Sequence, residues 1–384
     1  MNKSRKIALL LGLIIIINSC SSSSSSSETP SSPDRESVIK TLNLVNDKWQ
    51  SEHDVAEQNA FWHLAAYHIG NMEAYKLTGK EEYLDYTIKW AKTNEWSGAK
   101  STNTEEWKFS YGETDEYVLF GDWQACFQVY IDLYLLEPED HKVARAKEVM
   151  SYEVNTEEDK YWWWIDGLFM VMPVMPRLYD LTGDTIYLNK LHEYYSYTKS
   201  LMYDEEAGLW YRDTKYIYPK HKTNSSKKDF WSRGDGWVIA AHARTLDKLP
   251  DSGPHYSEYL EVFKKMSEAL KNCQQEEGYW TRSLLDPDQA PGPETSGTAF
   301  FTYGILWGIN NGVLDEEEYA PVVNSAWEYL SETAVQDDGT LGYVQPIGER
   351  AEPGQVIDKN STSDFGVGAF LLASSEMVKY LENK

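Results

Sequence analysis

The chain has 384 residues and a formal charge of −25, from 61 acidic against 36 basic side chains. That balance excludes nucleic acid and an anionic lipid surface as partners, because either needs a basic footprint. Three cysteines are too few for a disulfide framework, and no Cys/His cluster has metal-ligand spacing, so neither cross-links nor a resident metal or cofactor is expected.

At the start, Lys3, Arg5 and Lys6 precede an apolar run from Ile7 to Ile17 that is too short to span a bilayer. It ends in "INSC" and a serine tract from Ser21 to Ser27, which together look like a bacterial lipoprotein signal with Cys20 as the lipidated residue. An ordinary cleaved signal peptide is the alternative. The expected order is a signal at 1–20, a Ser/Pro-rich tether at 21–36 and a single domain at 37–384. The product would be a membrane-anchored protein facing the periplasm or the cell surface, touching the membrane only through its lipid.

Two later segments are near copies: "YKLTGKEEYLDY" from Tyr75 and "YDLTGDTIYLNKL" from Tyr179. Each has apolar residues at helical spacing on both sides of a Thr-Gly stop, so each predicts a short turn between two helices. Looser copies start at Tyr134, Leu246 and Trp307. Long connections rich in Trp, Tyr, Gly and Pro fall between them, at roughly 94–116, 152–163, 203–232, 276–293 and 336–362. Short turns alternating with long loops put every long loop on one face, where loops usually carry function. The pattern predicts an all-α (α/α)6 barrel, a toroid of six helical hairpins, with an α-solenoid as the alternative. Inner helices would open at Gly121, Trp164, Arg233, Glu294 and Thr362.

Asp122 in "GDW" and Asp166 in "IDG" hold equivalent places at two of those openings. Either alone reads as a helix cap. Together on a convergent face they suit acid chemistry on sugars, with Trp162, Trp163, Trp164 and Phe169 as the apolar wall that keeps a carboxyl group protonated. In "FWSRGDGW", Arg233 between aromatics and glycines suits bidentate capture of a carboxylate; an ion pair with Asp166 or Asp235 is the structural alternative, and Asp235 is a third candidate acid. Glu294, Thr295 and Ser296 read as a helix cap with a polar face toward the cavity. Trp107, Trp210, Tyr211, Trp231 and Trp280 are candidates for stacking on sugar faces. His63 and His68, near Trp62 and Tyr67, read as core or cavity-edge residues. Lys215, Lys220, Lys222, Lys227 and Lys228, between Arg212 and Arg233, form either a solvated loop or an anion-attracting rim.

Four ordered motifs, "WWWIDGLFMVMP", "FWSRGDGW", "PGPETSGTAFFTYG" and "DFGVGAFLLA", resemble glycoside hydrolase family 105, the unsaturated rhamnogalacturonyl (unsaturated glucuronyl) hydrolases, from about residue 50 to the C-terminus. The resemblance implies an (α/α)6 barrel without a metal requirement, acting on acidic unsaturated oligosaccharides of rhamnogalacturonan or ulvan type. It implies that an aspartic acid protonates C4 of a 4,5-unsaturated uronate and that water adds at C5. By motif position Asp166 matches the acid, Asp122 its partner carboxylate, and Arg233, Gly234, Gly236 and Trp237 the segment that holds the sugar. Trp62, Trp164, Arg212, Asp235, Thr295 and Ser296 complete the expected substrate-binding set. Two departures stand out: Asp235 where the family often has asparagine, and no histidine soon after "GLWYRD", which leaves Arg212 and its basic neighbours free to serve a sulfated or longer acidic glycan. The alternatives are a conventional inverting glycosidase using Asp122 and Asp166, and a non-catalytic glycan-binding lipoprotein.

Overall fold

In the computed structural model, which describes residues 33–384, the two Thr-Gly stops end their helices in the same way. Gly79 (φ 67°) and Gly183 (φ 71°) take the left-handed conformation that favours glycine, and their N–H groups donate to Tyr75 O (2.8 Å) and Tyr179 O (2.7 Å). Asp34–Lys384 form one compact unit. The signal and most of the tether expected from the sequence lie outside the described residues.

The helices are α1 (Arg35–Glu52), α2 (Trp62–Thr78), α3 (Glu81–Thr93), α4 (Cys126–Leu136), α5 (His141–Val154), α6 (Asp166–Val171), α7 (Val174–Thr182), α8 (Ile186–Met202), α9 (Ser232–Leu246), α10 (Tyr256–Cys273), α11 (Thr295–Asn310), α12 (Glu316–Tyr329) and α13 (Asp364–Glu382). An inner ring closes through α2, α4, α6–α7, α9, α11 and α13, which returns to α2; the outer helices α3, α5, α8, α10 and α12 each pack on the inner helix before them. The first helix, α1, packs on the last, α13, so the sixth hairpin is made from the two ends of the domain. This is the (α/α)6 toroid.

Burial explains which helices are inside. Every residue of α9 and all but the last of α11 are buried, as in helices surrounded by others; α11 is apolar or small nearly all round, whereas α9 also buries Arg233, Asp235, His242 and Arg244. Outer helices such as α3 and α10 keep one apolar stripe and a charged face. The ring seam at α2 and α13 depends on glycine. A Cβ at Gly70 would sit 2.3 Å from Gly368 O, and one at Gly368 would sit 2.3 Å from Ala66 O.

The third inner helix is not continuous. It breaks into α6 and α7 at Pro173, where proline removes a helical N–H donor. At the "GDW" opening the chain makes a 3-10 turn, Gly121–Trp123, ahead of α4. The five long connections expected from the sequence, and the shorter 53–61 link before α2, all enter inner helices from one side. The N-terminal ends of the inner ring and the long loops therefore share one mouth of the toroid.

Candidate active site

At that mouth lies a cavity of about 210 Å³, nearer the size for one sugar ring than the roughly 300–1,000 Å³ of larger ligand pockets. Each lining group arrives on a different element. Trp62 and His63 open α2, Asp122 lies on the 3-10 turn, Trp164 and Asp166 stand at the start of α6, and Trp231 and Arg233 at the start of α9. The loops contribute Tyr111, Glu113 and Phe120 from one side, Arg212 from a second, and Ile347 and Gly348 from a third.

Neither aspartate is a helix cap. The turn at Gly121 and the helix at Asp166 have Phe120 and Ile165 in their cap positions, with no side-chain cap bond. Both carboxyl groups are nevertheless buried, Asp122 to 6% and Asp166 to 9% exposure, which is costly for an anion without full compensation. Burial pushes Asp122 well above the usual carboxylate range, the charge of Asp166 adds to the rise, and Arg212 opposes it. Burial raises Asp166 as well, against the pull of Arg212 and Arg233. Two close carboxyl groups with few compensating donors hold one proton between them more readily than none.

Arg212 is delivered by the backbone. Trp164 pairs with Asp213 as an isolated antiparallel bridge, and Ile165 N donates to Arg212 O at 3.0 Å. The guanidinium then stands 3.3 Å from Asp166 Oδ2 through Nε, while Nη1 reaches Asp213 Oδ2 at 2.6 Å and Glu349 Oε2 at 3.4 Å. The Nε–Oδ2 approach lacks hydrogen-bond alignment, so both atoms are buried without a hydrogen-bond partner. Arg212 also lies over the Trp163 ring, 5.8 Å from its centroid.

The three tryptophans divide their work. Trp164 lines the cavity against Phe120 at 4.9 Å. Trp163 is half-buried, tilted against Trp164 at 4.7 Å, and donates to Phe109 O. Trp162 faces the core against Tyr194 at 5.1 Å. Phe169, expected in the wall, lies beneath it against Trp237 and Phe300; Phe61, Phe120 and Met170 take its place.

Several expected binding residues serve the scaffold instead. Arg233 lines the cavity but is 1% exposed; its Nη1 and Nη2 donate to Gln345 O (2.7 Å) and Pro346 O (2.9 Å), so the fork expected for a substrate carboxylate is taken up by backbone. Its plane is stacked between Trp231 and Phe365, at 4.5 and 4.8 Å, and burial lowers its pKa to about 10, leaving it charged at neutral pH. Asp235 turns away from the cavity, where Oδ1 accepts from Trp210 N at 2.9 Å and Oδ2 has no partner; it is not an alternative acid for this site. Gly234 and Gly236 make room for Trp231 and Phe300, and Trp237 forms the floor beneath Trp62, at 6.0 Å. Thr295 Oγ1 pairs with Tyr329 OH at 2.7 Å, and Ser296 Oγ bonds Glu294 at 2.7 Å. Glu294 is the cap, accepting from Ser296 N and Gly297 N. None of the three lines the cavity.

Of the expected stacking aromatics only Trp231 reaches the cavity. Trp107, Trp210, Tyr211 and Trp280 are buried, because their loops fold back on the barrel. The basic segment is largely neutralised: Lys215 meets Glu349, Lys227 meets Asp286, and Lys228 meets Asp204. His68 is core, between Gln58 and Thr87. His63 stands at the cavity edge, bonded to Asp364 Oδ2 at 2.5 Å. Tyr111, Glu113, Phe120, Ile347 and Gly348 were not expected; the only sequence signal was that they lie in or beside the long 94–116 and 336–362 connections.

Comparison with known proteins locates this architecture among carbohydrate enzymes. The sequence model of glycosyl hydrolase family 88 matches residues 36–381. A protein of Formosa agariphila named unsaturated 3S-rhamnoglycuronyl hydrolase is 33% identical over 90% of this chain and 92% of its own. A solved glycosyl hydrolase family 88 protein from Bacteroides vulgatus is 55% identical, with a TM-score of 0.89 over 91% of this chain and all of that one (100%). Another structure, titled a polysaccharide lyase, is 60% identical with the same TM-score of 0.89, over 91% of this chain and 99% of that one. A possible family 105 member from Salmonella enterica shares the fold alone, at 19% identity and a TM-score of 0.70 over 91% of this chain and 94% of that one.

Proposed function

The chain belongs to glycosyl hydrolase family 88, and on that premise we propose that it removes the 4,5-unsaturated uronic acid from the non-reducing end of lyase-generated oligosaccharides, of rhamnogalacturonan or ulvan type. The observation that carries this is the pair Asp122 and Asp166, two buried carboxyl groups that cap no helix and share an aromatic cavity with Arg212. The name of the Formosa agariphila relative supports a rhamnose-linked unsaturated uronate as substrate.

Asp166 gives its proton to C4 of the enol ether, and positive charge develops at C5 and the ring oxygen. Water adds at C5 and passes a proton back to the Asp166 carboxylate, while Asp122 orients that water. The product is a hemiketal, which opens and releases the aglycone. No bond to the anomeric carbon is attacked, so one donor and one orienting carboxylate suffice. The substrate carboxylate has two cations near it: Arg233 has both Nη atoms taken by backbone carbonyls, whereas only Nη1 of Arg212 is hydrogen-bonded.

The test follows the ultraviolet absorbance of the conjugated double bond on a panel of lyase products. Absorbance should fall with the wild type and stay constant with Asp166→Asn. Unchanged absorbance with wild type across the panel would sink the proposal. A rise on uncut polysaccharide would place the chain instead with the relative titled a polysaccharide lyase, since elimination forms the double bond that hydration consumes.

The same reading includes lipidation at Cys20 and a membrane-anchored enzyme exposed to incoming oligosaccharides. The support is the "INSC" and serine-tract sequence. Cys20→Ser should shift the protein from the membrane to the soluble fraction; an unaltered distribution would refute anchoring.

A further inference from the structure

On the other side of the toroid, where short turns join inner to outer helices, one side-chain cluster serves neither the cavity nor the core. His192 lies on α8, His255 ends the turn into α10, and Glu258 stands in the first turn of α10. One ligand-type atom from each falls within 4.8 Å of the others. The sequence hides the group, because its members are spread over two elements.

The local chemistry is that of donors without a settled use. The two imidazoles are stacked face to face, centroids 3.3 Å apart and planes 5° from parallel. His192 Nδ1 is 3.9 Å from Glu258 Oε2 and 3.5 Å from Tyr259 OH, while its Nε2 is 3.2 Å from Ser196 Oγ. Glu258 uses Oε1 for Lys199 at 2.7 Å, which leaves Oε2 available. His255 is exposed, sits at φ 63°, and its ring makes no hydrogen bond among the described residues.

We propose that His192, His255 and Glu258 hold a divalent transition-metal ion of the zinc type, clipping α8 to the turn that enters α10. Two imidazoles and one carboxylate are a donor set suited to a borderline ion such as zinc, with bonds of about 2.0–2.2 Å, and ill suited to the harder magnesium. A metal lies in the plane of each imidazole that binds it, so the stacked rings must part. His255 can turn out of the stack, being exposed and unbonded. The Tyr259 hydroxyl or water completes the shell. The site is structural: it stands on the short-turn side of the barrel, opposite the loops that line the substrate cavity, and the hydrolytic chemistry does not pass through it.

The test uses the full chain after chelator treatment and dialysis. Zinc chloride is titrated by calorimetry and by thermal unfolding, with magnesium chloride in parallel. The expected result is one zinc per chain, a higher Tm with zinc and not with magnesium, and affinity weakened at least about tenfold, or about 1.4 kcal/mol, in His255→Ala. His192→Ala should do the same; should its packing against Tyr259 prevent folding, the exposed His255→Ala variant decides. Absent zinc binding, binding unaltered in His255→Ala, or equal stabilisation by magnesium would each overturn the site. Consumption of the unsaturated double bond should be the same with and without zinc, so failure of this proposal and failure of the enzymatic one are read separately.

Discussion

Glu153, at the end of α5, is a buried acid that the proposed reaction does not use. It is wholly shielded from water, Oε1 accepts from Gln124 Nε2 at 2.5 Å, and Oε2 has no partner. Burial raises its pKa from 4.5 to about 8, with Gln124 and Lys190 opposing. The native state therefore keeps a proton that the unfolded chain gives up above pH 4.5, so stability present in acid is lost as pH rises, until the folded carboxyl itself ionises near 8. The slope is about 1.4 kcal/mol per pH unit, which totals about 3 kcal/mol by pH 7. Glu153→Gln keeps an oxygen for Gln124 and cannot ionise. Denaturant midpoints of both proteins, measured at several pH values across that window, should diverge in favour of the variant by about 1.4 kcal/mol per pH unit. Parallel curves would refute the reasoning, and with it the claim that Glu153 is neutral beneath the Asp122 turn.

Replacing Arg212 by Gln removes the cation closest to Asp166, so the acid should stay protonated to higher pH; the alkaline limb of kcat/KM should move upward while kcat falls, and an unmoved limb would argue against the contact. Burial raises Asp235 well above the usual range, with only Trp210 N opposing; Asp235→Asn preserves that acceptor and should match or exceed wild-type stability, by a margin that widens as pH rises above the unfolded value, as thermal unfolding across pH would report. At the ring seam, Gly70→Ala places a methyl group 2.3 Å from Gly368 O and should cost about 1–3 kcal/mol; a variant with an unchanged unfolding midpoint would mean that α2 and α13 part easily.

The fold was legible because its signal is periodic. Thr-Gly stops, acidic first turns and alternating loop lengths all report on local backbone chemistry, and the left-handed Gly79 and Gly183 are the physical content of that repeat. The aspartates were legible for a related reason: both occupy the openings of inner helices, a position that the hairpin pattern fixes. Side-chain direction was not legible. The run "RGDGW" places Arg233, Asp235 and Trp237 within five residues, yet on a helix Arg233 and Trp237, four residues apart, share a face and both meet Phe365, while Asp235 points the opposite way. Arg233 meets backbone carbonyls of a loop more than a hundred residues away, Asp235 meets Trp210 N, and Trp237 packs on Phe300 in the floor. Loop aromatics fail for the same reason, because a Trp in a loop that folds back, as Trp280 does to donate to Leu270 O, has the same sequence signature as one that faces a ligand.

Burial raises both acids, and Asp122 ends higher because the charge of Asp166 adds to its rise, whereas Arg212 and Arg233 hold Asp166 back. Arg212 pulls Asp166 toward the ionised form, and negative charge on Asp166 in turn favours a proton on Asp122. An entering uronate changes that balance, since its carboxylate is drawn to the same cation and brings negative charge near Asp166. Weakening the hold of Arg212 and adding an anion both raise the affinity of Asp166 for a proton. In the proposed reaction the proton is then held on Asp166, and Asp122, as the carboxylate, accepts a hydrogen bond from water. On that reading substrate charge favours the protonated donor, a help that a neutral sugar in the same cavity would not give. The preference for an acidic sugar is then a matter of protonation as well as of contact, and the triple tryptophan contributes to it through Trp164, whose ring helps keep water from Asp166 while Trp163 braces Arg212.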